Sequence, residues 1–155
     1  MKNSCAQQTN YFIVFGLESL GDVKFYLKGC NLPGLTLDPT SINNKIRNQY
    51  IAGDKIEYNP LTVSILVDEE FEIYLSIIDE INKLKNNVTG EVKQIPFTSV
   101  LFITTNKGNP IIKMEFEDCF INTLSDINFS TGDTSNTTLS FDMTLKYTNI
   151  KYTKL

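Results

Sequence analysis

The chain has 155 residues, of which 41% are apolar and 21% are charged, a composition typical of one globular domain. Its net charge is −4 and its only arginine is Arg47, which argues against sequence-specific nucleic-acid binding, because such proteins usually present a basic surface and arginines. It has no histidine, the commonest general base and metal ligand. We therefore expect a protein that is not an enzyme and that carries no cofactor and no metal.

The ends of the chain and its cysteines predict a protein made in a cytoplasm. Cys5, Cys30 and Cys119 are odd in number and widely spaced, so a zinc site or a disulfide framework is not expected. The N-terminus lacks the apolar run of a signal peptide, and no segment approaches the ~18 apolar residues that cross a bilayer. We expect a single domain, 1–155, with 1–10 as a short N-terminal segment and no membrane anchor.

The first predicted elements are two short strands. Tyr11–Phe15 is a continuous apolar run of β-prone residues, which predicts a strand buried on both faces. Val23–Leu27 alternates between apolar and polar residues, as a half-buried strand does. Gly21-Asp22 between the two runs predicts a hairpin turn.

A long polar connection follows. Asn31–Asn48 contains Pro, Gly and several Asn residues, which predicts a long loop exposed to solvent, and long ordered loops are commonly functional. A strand pattern resumes over Gln49–Tyr58, where Gly53-Asp54 indicates a turn or a bulge.

One amphipathic helix is predicted after the strand Leu61–Val67. Asp68 suits the N-cap position, and Asn86-Asn87 with Gly90 suit the helix end. Apolar residues recur every three or four positions and predict a buried helix face composed of Phe71, Tyr74, Leu75, Ile78, Ile81 and Leu84.

Three further strands complete the pattern. Val100–Thr105 and Ile111–Glu117 flank the turn-forming segment Asn106–Pro110, which predicts a hairpin. Leu139–Tyr147 alternates strictly, after the polar loop Ser130–Thr138. One helix among about seven strands that are mostly joined by short turns predicts a mostly β protein, an antiparallel barrel or sandwich with one α-helix.

The chain offers few residues for catalysis. Glu115 and Glu117 lie on one face of a strand, but Lys113 shares that face, so an ordinary solvated surface is the better interpretation. The oxygen-rich segment Asp126–Asp133 lacks the closing glutamate of a calcium loop. No phosphate-binding or dinucleotide-binding glycine motif is present.

The order of these features resembles the tail tube family of contractile-tailed phages, which includes the baseplate proteins that initiate the tube. The resemblance covers about residues 11 to 147. It rests on the following segments in this order: Tyr11–Phe15, Val23–Cys30 with Leu32-Pro33-Gly34, Asn44-Lys45-Ile46, Ala52-Gly53-Asp54-Lys55-Ile56, Leu61–Val67 with Asp68, Leu124-Ser125-Asp126-Ile127 and Leu139–Tyr147.

This resemblance implies a tail-tube-like subunit of a virion tail. Six copies would form a ring, rings would stack beside tube, baseplate and sheath proteins, and DNA would pass through without specific binding. The subunit interface would include the polar connection, namely Pro33, Gly34, Asn43, Asn44, Arg47, Gly53 and Asp54. The resemblance does not distinguish between three roles for the chain, namely a main tube subunit, a tube initiator and a tube-end protein. Two other possibilities are the tube of a type VI secretion or related contractile injection system and a small-molecule-binding β-barrel.

Overall fold

A computed structural model describes residues 10–83, 96–132 and 137–155. These ranges contain eleven β-strands, one α-helix and the 3-10 helix Glu18–Phe25. The strands are β1 Tyr11–Phe15, β2 Leu27–Cys30, β3 Leu35–Leu37, β4 Thr40–Asn43, β5 Asn48–Ile51, β6 Ile56–Tyr58, β7 Leu61–Leu66, β8 Phe97–Thr104, β9 Pro110–Leu124, β10 Ser140–Lys146 and β11 Asn149–Lys154, and helix α1 is Glu72–Asn82.

Seven strands form the main antiparallel sheet in the order β1-β8-β9-β10-β7-β2, with β11 also paired to β9. Strand β9 has 15 residues, and its backbone bends at Asp118, which has a φ of 53°. The part of β9 before the bend pairs with β11 and the part after it pairs with β10. The expected mostly β, antiparallel architecture with one α-helix is confirmed.

The core follows the predicted alternation most clearly at β7 and β10. Leu61, Val63 and Ile65 of β7 lie directly opposite Leu145, Met143 and Phe141 of β10, and all six side chains are buried. Opposite residues of an antiparallel pair point to the same face, so these three rows pack as one apolar layer. The predicted strands Leu61–Val67 and Leu139–Tyr147 are thus confirmed in both position and orientation.

Helix α1 begins later than the sequence predicts, because Phe71 and not Asp68 takes the N-cap position, and part of its buried face also differs from the prediction. The Asp68 carboxylate accepts hydrogen bonds from the backbone N–H groups of Glu72 at 2.9 Å and Ile73 at 3.4 Å, as a helix cap does. The residues buried most deeply are Ile73 and Ile77, whereas Leu75 is 53% exposed. The predicted face was therefore only partly right, since its Tyr74 and Ile81 pack against the core but Ile73 and Ile77 were missed. Leu84 and the predicted helix end lie outside the described residues.

The first segment also differs from its prediction. β1 pairs with β8 as an edge strand, so only Ile13 and Phe15 are buried, while Phe12 and Val14 stay exposed; burial on both faces was wrong. The predicted hairpin and the strand Val23–Leu27 were also wrong. The partner of β1 is distant in sequence, so the chain is not required to turn back at once and continues as a 3-10 helix instead.

Candidate assembly arm

A two-stranded arm, residues 35–58, occupies much of the predicted polar connection. Its lower half pairs β3 with β6, and its upper half pairs β4 with β5, both antiparallel. At the tip, the Asn44 N–H donates to the Arg47 carbonyl at 3.2 Å and closes the turn 44–47. The prediction of a loop over Asn31–Asn48 was therefore wrong in conformation, because each of its extended stretches finds a partner strand within the arm.

The two halves of the arm meet at a tight backbone crossing. Residues 38–39 on one strand lie across from residues 52–55 on the other, so the second strand carries two extra residues. A Cβ on Gly53 would lie 1.7 Å from the Asp38 carbonyl oxygen, closer than any real contact. Only glycine permits this approach of the two backbones, which gives Gly53 a structural role inside the arm.

The root of the arm is anchored to the core by aromatic residues. The rings of Tyr58 and Tyr147 lie 5.6 Å apart, and the Tyr147 ring packs edge-on against buried Phe116 at 5.0 Å. The Tyr147 hydroxyl donates to the Asn59 carbonyl at 2.7 Å. Burial, with smaller effects of Tyr58 and Cys119, raises the pKa of Tyr147 to about 12. The arm therefore leaves the domain from a fixed position.

Beyond this root the arm is exposed along its length and carries many apolar side chains. Seven large ones are exposed: Leu35, Leu37, Ile42, Ile46, Tyr50, Ile51 and Ile56. Leu35 and Leu37 lie opposite Tyr58 and Ile56, which makes one face of the lower half wholly apolar. An isolated two-stranded hairpin is only marginally stable in water, and contiguous exposed apolar surface usually marks an interaction site. The arm has the properties of a segment that another protein surface covers.

The seven residues predicted for the subunit interface all lie on or beside this arm. Asn43, Asn44 and Arg47 are exposed at its tip, and Gly53 and Asp54 lie at the crossing. At the root, Pro33 is buried, and the Gly34 carbonyl accepts a hydrogen bond from the Asn59 N–H at 3.1 Å. The structure thus places five of these residues within the arm and Pro33 and Gly34 directly before its first strand.

The sequence prediction missed the apolar residues of the arm, which carry more of its exposed surface than the predicted polar ones. A signal for them was present, since Leu35-Thr36-Leu37 and Ile56-Glu57-Tyr58 both alternate in the manner of a strand. Each run is only three residues long, and short runs between Pro, Gly and Asn are typical of loops.

The candidate carboxylates belong to surface ion pairs. Glu115 lies 2.6 Å from the Lys113 ammonium group, and Glu117 accepts hydrogen bonds from Lys151 and from Asn149. The hydrogen bond from Lys151 is the main cause that lowers the pKa of Glu117, and the same contact raises the pKa of Lys151. The lowered pKa of Glu117 is the opposite of the raised pKa expected of a general acid, which fits the predicted solvated surface.

Within the described ranges no group of three or more acidic or cysteine side chains is placed to hold a metal ion. Cys30 and Cys119 are free thiols, and burial raises the pKa of both. Such thiols are poor nucleophiles at neutral pH. None of the described helices is both long and apolar enough to span a bilayer.

Known proteins resemble this chain both in sequence and in structure. No protein-family profile matches the chain. The tail tube terminator protein of Enterobacteria phage T4 is 29% identical over 106 residues, which are 66% of this chain; the chain spans 60% of the length of that relative.

Solved structures resemble the chain over nearly its whole length. One in the anti-feeding prophage baseplate superposes with a TM-score of 0.73 at 12% identity and covers 99% of this chain and 97% of its own. One in the tube-terminating cap of that prophage superposes with a TM-score of 0.72 at 13% identity and covers 100% of this chain and 95% of its own. The sheath/tube terminator of the extracellular contractile injection system PVC gives 0.72 at 14% identity, with 99% of both chains covered. The chain therefore has the tail-tube fold.

Proposed function

We propose that this chain is the terminator of a contractile tail, a structural, non-enzymatic virion protein that forms a ring on the end of the tail tube. The observation that carries the proposal is the 29% identity with a tail tube terminator, because the likeness in fold is shared by the baseplate, cap and sheath/tube terminator structures alike. The ring would contain six copies, as the six-fold symmetry of the similar baseplate suggests. Its partners would be the tube, the sheath and further copies of itself.

The physical features of the chain support a role in self-association. A tube-end protein has to contact the tube, and it has to contact its own copies to close the ring. The exposed apolar arm, rooted rigidly beside Tyr147, is suited to such contacts. A repeated head-to-tail contact closes into a ring when its rotation permits. The net charge of −4 and the single arginine suit a ring that DNA passes without being held.

A baseplate tube initiator is the second candidate, and the TM-score of 0.73 to a baseplate structure favours it. That structure is only 12% identical, so it supports the fold alone. The tube protein of a type VI secretion or related contractile injection system is a third candidate, which likewise rests on likeness in fold alone. A small-molecule-binding barrel has less support, since apolar side chains such as Phe116, Phe141 and Met143 fill the described interior.

Electron microscopy of the purified protein, alone and mixed with short lengths of its cognate tube, tests the proposal. A terminator is expected to form single rings and to add one ring to a tube end, after which the tube no longer elongates. A main tube subunit would instead stack into long tubes of its own. If the protein remains a monomer at high concentration and also fails to bind tube ends, the proposal is wrong.

A further inference from the structure

The tip of the arm presents an unusual combination of side chains. Ile46 is 96% exposed, the highest exposed fraction among the large apolar residues described, and it stands between Lys45 and Arg47. Neither cation forms an ion pair within the described part of the chain. An apolar side chain flanked by two positive charges is poorly suited to water alone and well suited to an apolar surface with an acidic rim.

The same chain carries a surface with the complementary properties at the start of α1. Phe129 is 72% exposed and its ring lies 6.2 Å from that of Phe71, while Leu75 is 53% exposed one helical turn after Phe71. Phe71 has a positive φ of 57°, an uncommon backbone conformation for a bulky residue. We call these three side chains the helix-start patch.

Exposed carboxylates adjoin the helix-start patch in the sequence. Glu69, Glu70 and Glu72 are exposed, and none of their side chains has a partner among the described residues. Acidic residues here also suit the positive end of the helix dipole, and Asp68 already caps the helix. The dipole accounts for the acidic charge but not for the exposed apolar side chains beside it.

The arm is long enough to reach another copy. From Leu35 to Asn44 an extended strand spans roughly 30 Å, whereas a domain of this size has a radius of gyration of about 15 Å. In its own chain the tip does not cover the patch, since Ile46, Phe129 and Leu75 are all exposed. The tip therefore extends toward surfaces outside its own domain.

We infer that the arm tip of one copy docks on the helix-start patch of a second copy of this chain, with Ile46 against Phe129 and Leu75, and with Lys45 and Arg47 facing the carboxylates. This contact rests on the proposed ring and deepens it. The contact is head-to-tail, because the two surfaces differ. Each copy therefore binds one neighbour through its arm tip and the other neighbour through its helix-start patch. Opposite charges at the rim steer the encounter and fix its orientation.

Charge reversal tests the contact directly. Lys45→Glu with Arg47→Glu gives the tip variant, and Glu69→Lys with Glu70→Lys gives the patch variant. Each places like charges opposite one another and is expected to weaken ring formation by about tenfold or more, measured by native mass spectrometry across a concentration series. The variant with all four substitutions restores opposite charges and the parent net charge, and it is expected to form rings nearly as well as the parent.

Two controls separate docking from folding and from bulk charge. All substituted residues are exposed, so the monomer of the tip variant is expected to match the parent in circular dichroism and melting. The patch variant is expected to keep the same circular dichroism and to lose only the small stabilisation that acidic residues give at a helix N-terminus. Lys107→Glu with Lys154→Glu makes the same change in net charge as the tip variant, at exposed positions away from the tip, and it is expected to leave ring formation intact.

The outcomes also distinguish this inference from the proposed function. If the parent forms rings and the tip variant forms them equally well, the docking contact is wrong while the terminator proposal stands. If the tip variant forms rings but no longer binds tube ends, the tip is occupied by the tube protein, and the inference is overturned. If the parent forms no ring alone or on tube ends, the proposed function itself fails.

Discussion

The buried face of α1 gives the sharpest test of the packing. Ile77 is 0% exposed, so Ile77→Ala removes three carbon atoms from the core. At ~0.8 kcal/mol per buried methylene the transfer cost alone is about 2.4 kcal/mol. The remaining cavity adds to this, so we expect a loss of about 3 kcal/mol within the range known for such substitutions. For a chain of this length the melting temperature should fall by roughly 6–12 °C.

The matched control lies two residues away on the same helix. Leu75→Ala removes the same number of carbon atoms, but this side chain is 53% exposed, and we expect a change within about 0.5 kcal/mol. Urea unfolding followed by circular dichroism, at a concentration where the protein is monomeric, gives both values. If Leu75→Ala costs as much as Ile77→Ala, the helix packs through the face that the sequence predicted, and the described orientation is wrong.

Four further predictions concern the arm, two titrations and metal dependence. Gly53→Ala should disrupt the arm and prevent ring formation, because its Cβ meets the Asp38 carbonyl, whereas Gly132→Ala, with nothing within 4 Å, should assemble normally in electron microscopy. Since Lys151 lowers the pKa of Glu117, this pair stabilises the fold above the ordinary carboxyl pKa and loses that contribution as the pH falls through the lowered value; Lys151→Met should raise the pKa of Glu117 in an NMR titration. Since the pKa of Tyr147 is raised to about 12, its stabilising contribution is complete below pH 10 and is lost as the pH rises through about 12; Tyr147→Phe should remove the last tyrosine to ionise in an ultraviolet titration. A chelator should leave the melting temperature unchanged, because no metal is expected to hold the fold together.

Each of these has a result that would contradict it. Normal rings with alanine at position 53 would mean that the backbones at the crossing do not approach as described. An unchanged Glu117 titration in the lysine variant would exclude the ion pair. If all tyrosines ionise near their ordinary pKa, Tyr147 is not buried at the arm root. A large loss of stability in chelator would reveal a metal site.

The sequence predicted the elements whose burial is one-sided and regular. In β10, Phe141, Met143 and Leu145 alternate with polar residues because one face packs on the core and the other meets solvent. The β8–β9 hairpin could also be predicted from the sequence, because its loop contains Gly108. This glycine adopts a φ of 80° in a turn where its N–H donates to the Thr105 carbonyl.

The elements that were missed depend on contacts distant in the chain. β11 is polar along most of its length, and it forms a strand because it lies beside the first half of β9, where the Thr148 N–H donates to the Glu117 carbonyl at 2.9 Å. The helix face was misassigned because α1 has apolar residues on more than one side, so spacing alone cannot select the side that meets the sheet. That choice depends on where Ile73 and Ile77 meet the core.

The sequence singled out the segment that forms the arm but did not predict its conformation. The polar connection indicated an exposed functional segment, and all seven predicted interface residues lie on or beside the arm. Its strands could not be predicted, since three-residue and four-residue strands pair only with one another and have no buried face to impose a pattern. The importance of Ile46 follows only from its exposure at a tip that stands away from the core.

The position of the protein on an assembled tail tests the central claim most directly. An epitope added to the exposed C-terminal residue Leu155, detected with gold-labelled antibody on purified contractile particles, reports that position by electron microscopy. We predict a single cluster of label at the tube end away from the baseplate. Label along the whole tube would identify a main tube subunit, and label at the baseplate would identify an initiator; either result would contradict the terminator assignment.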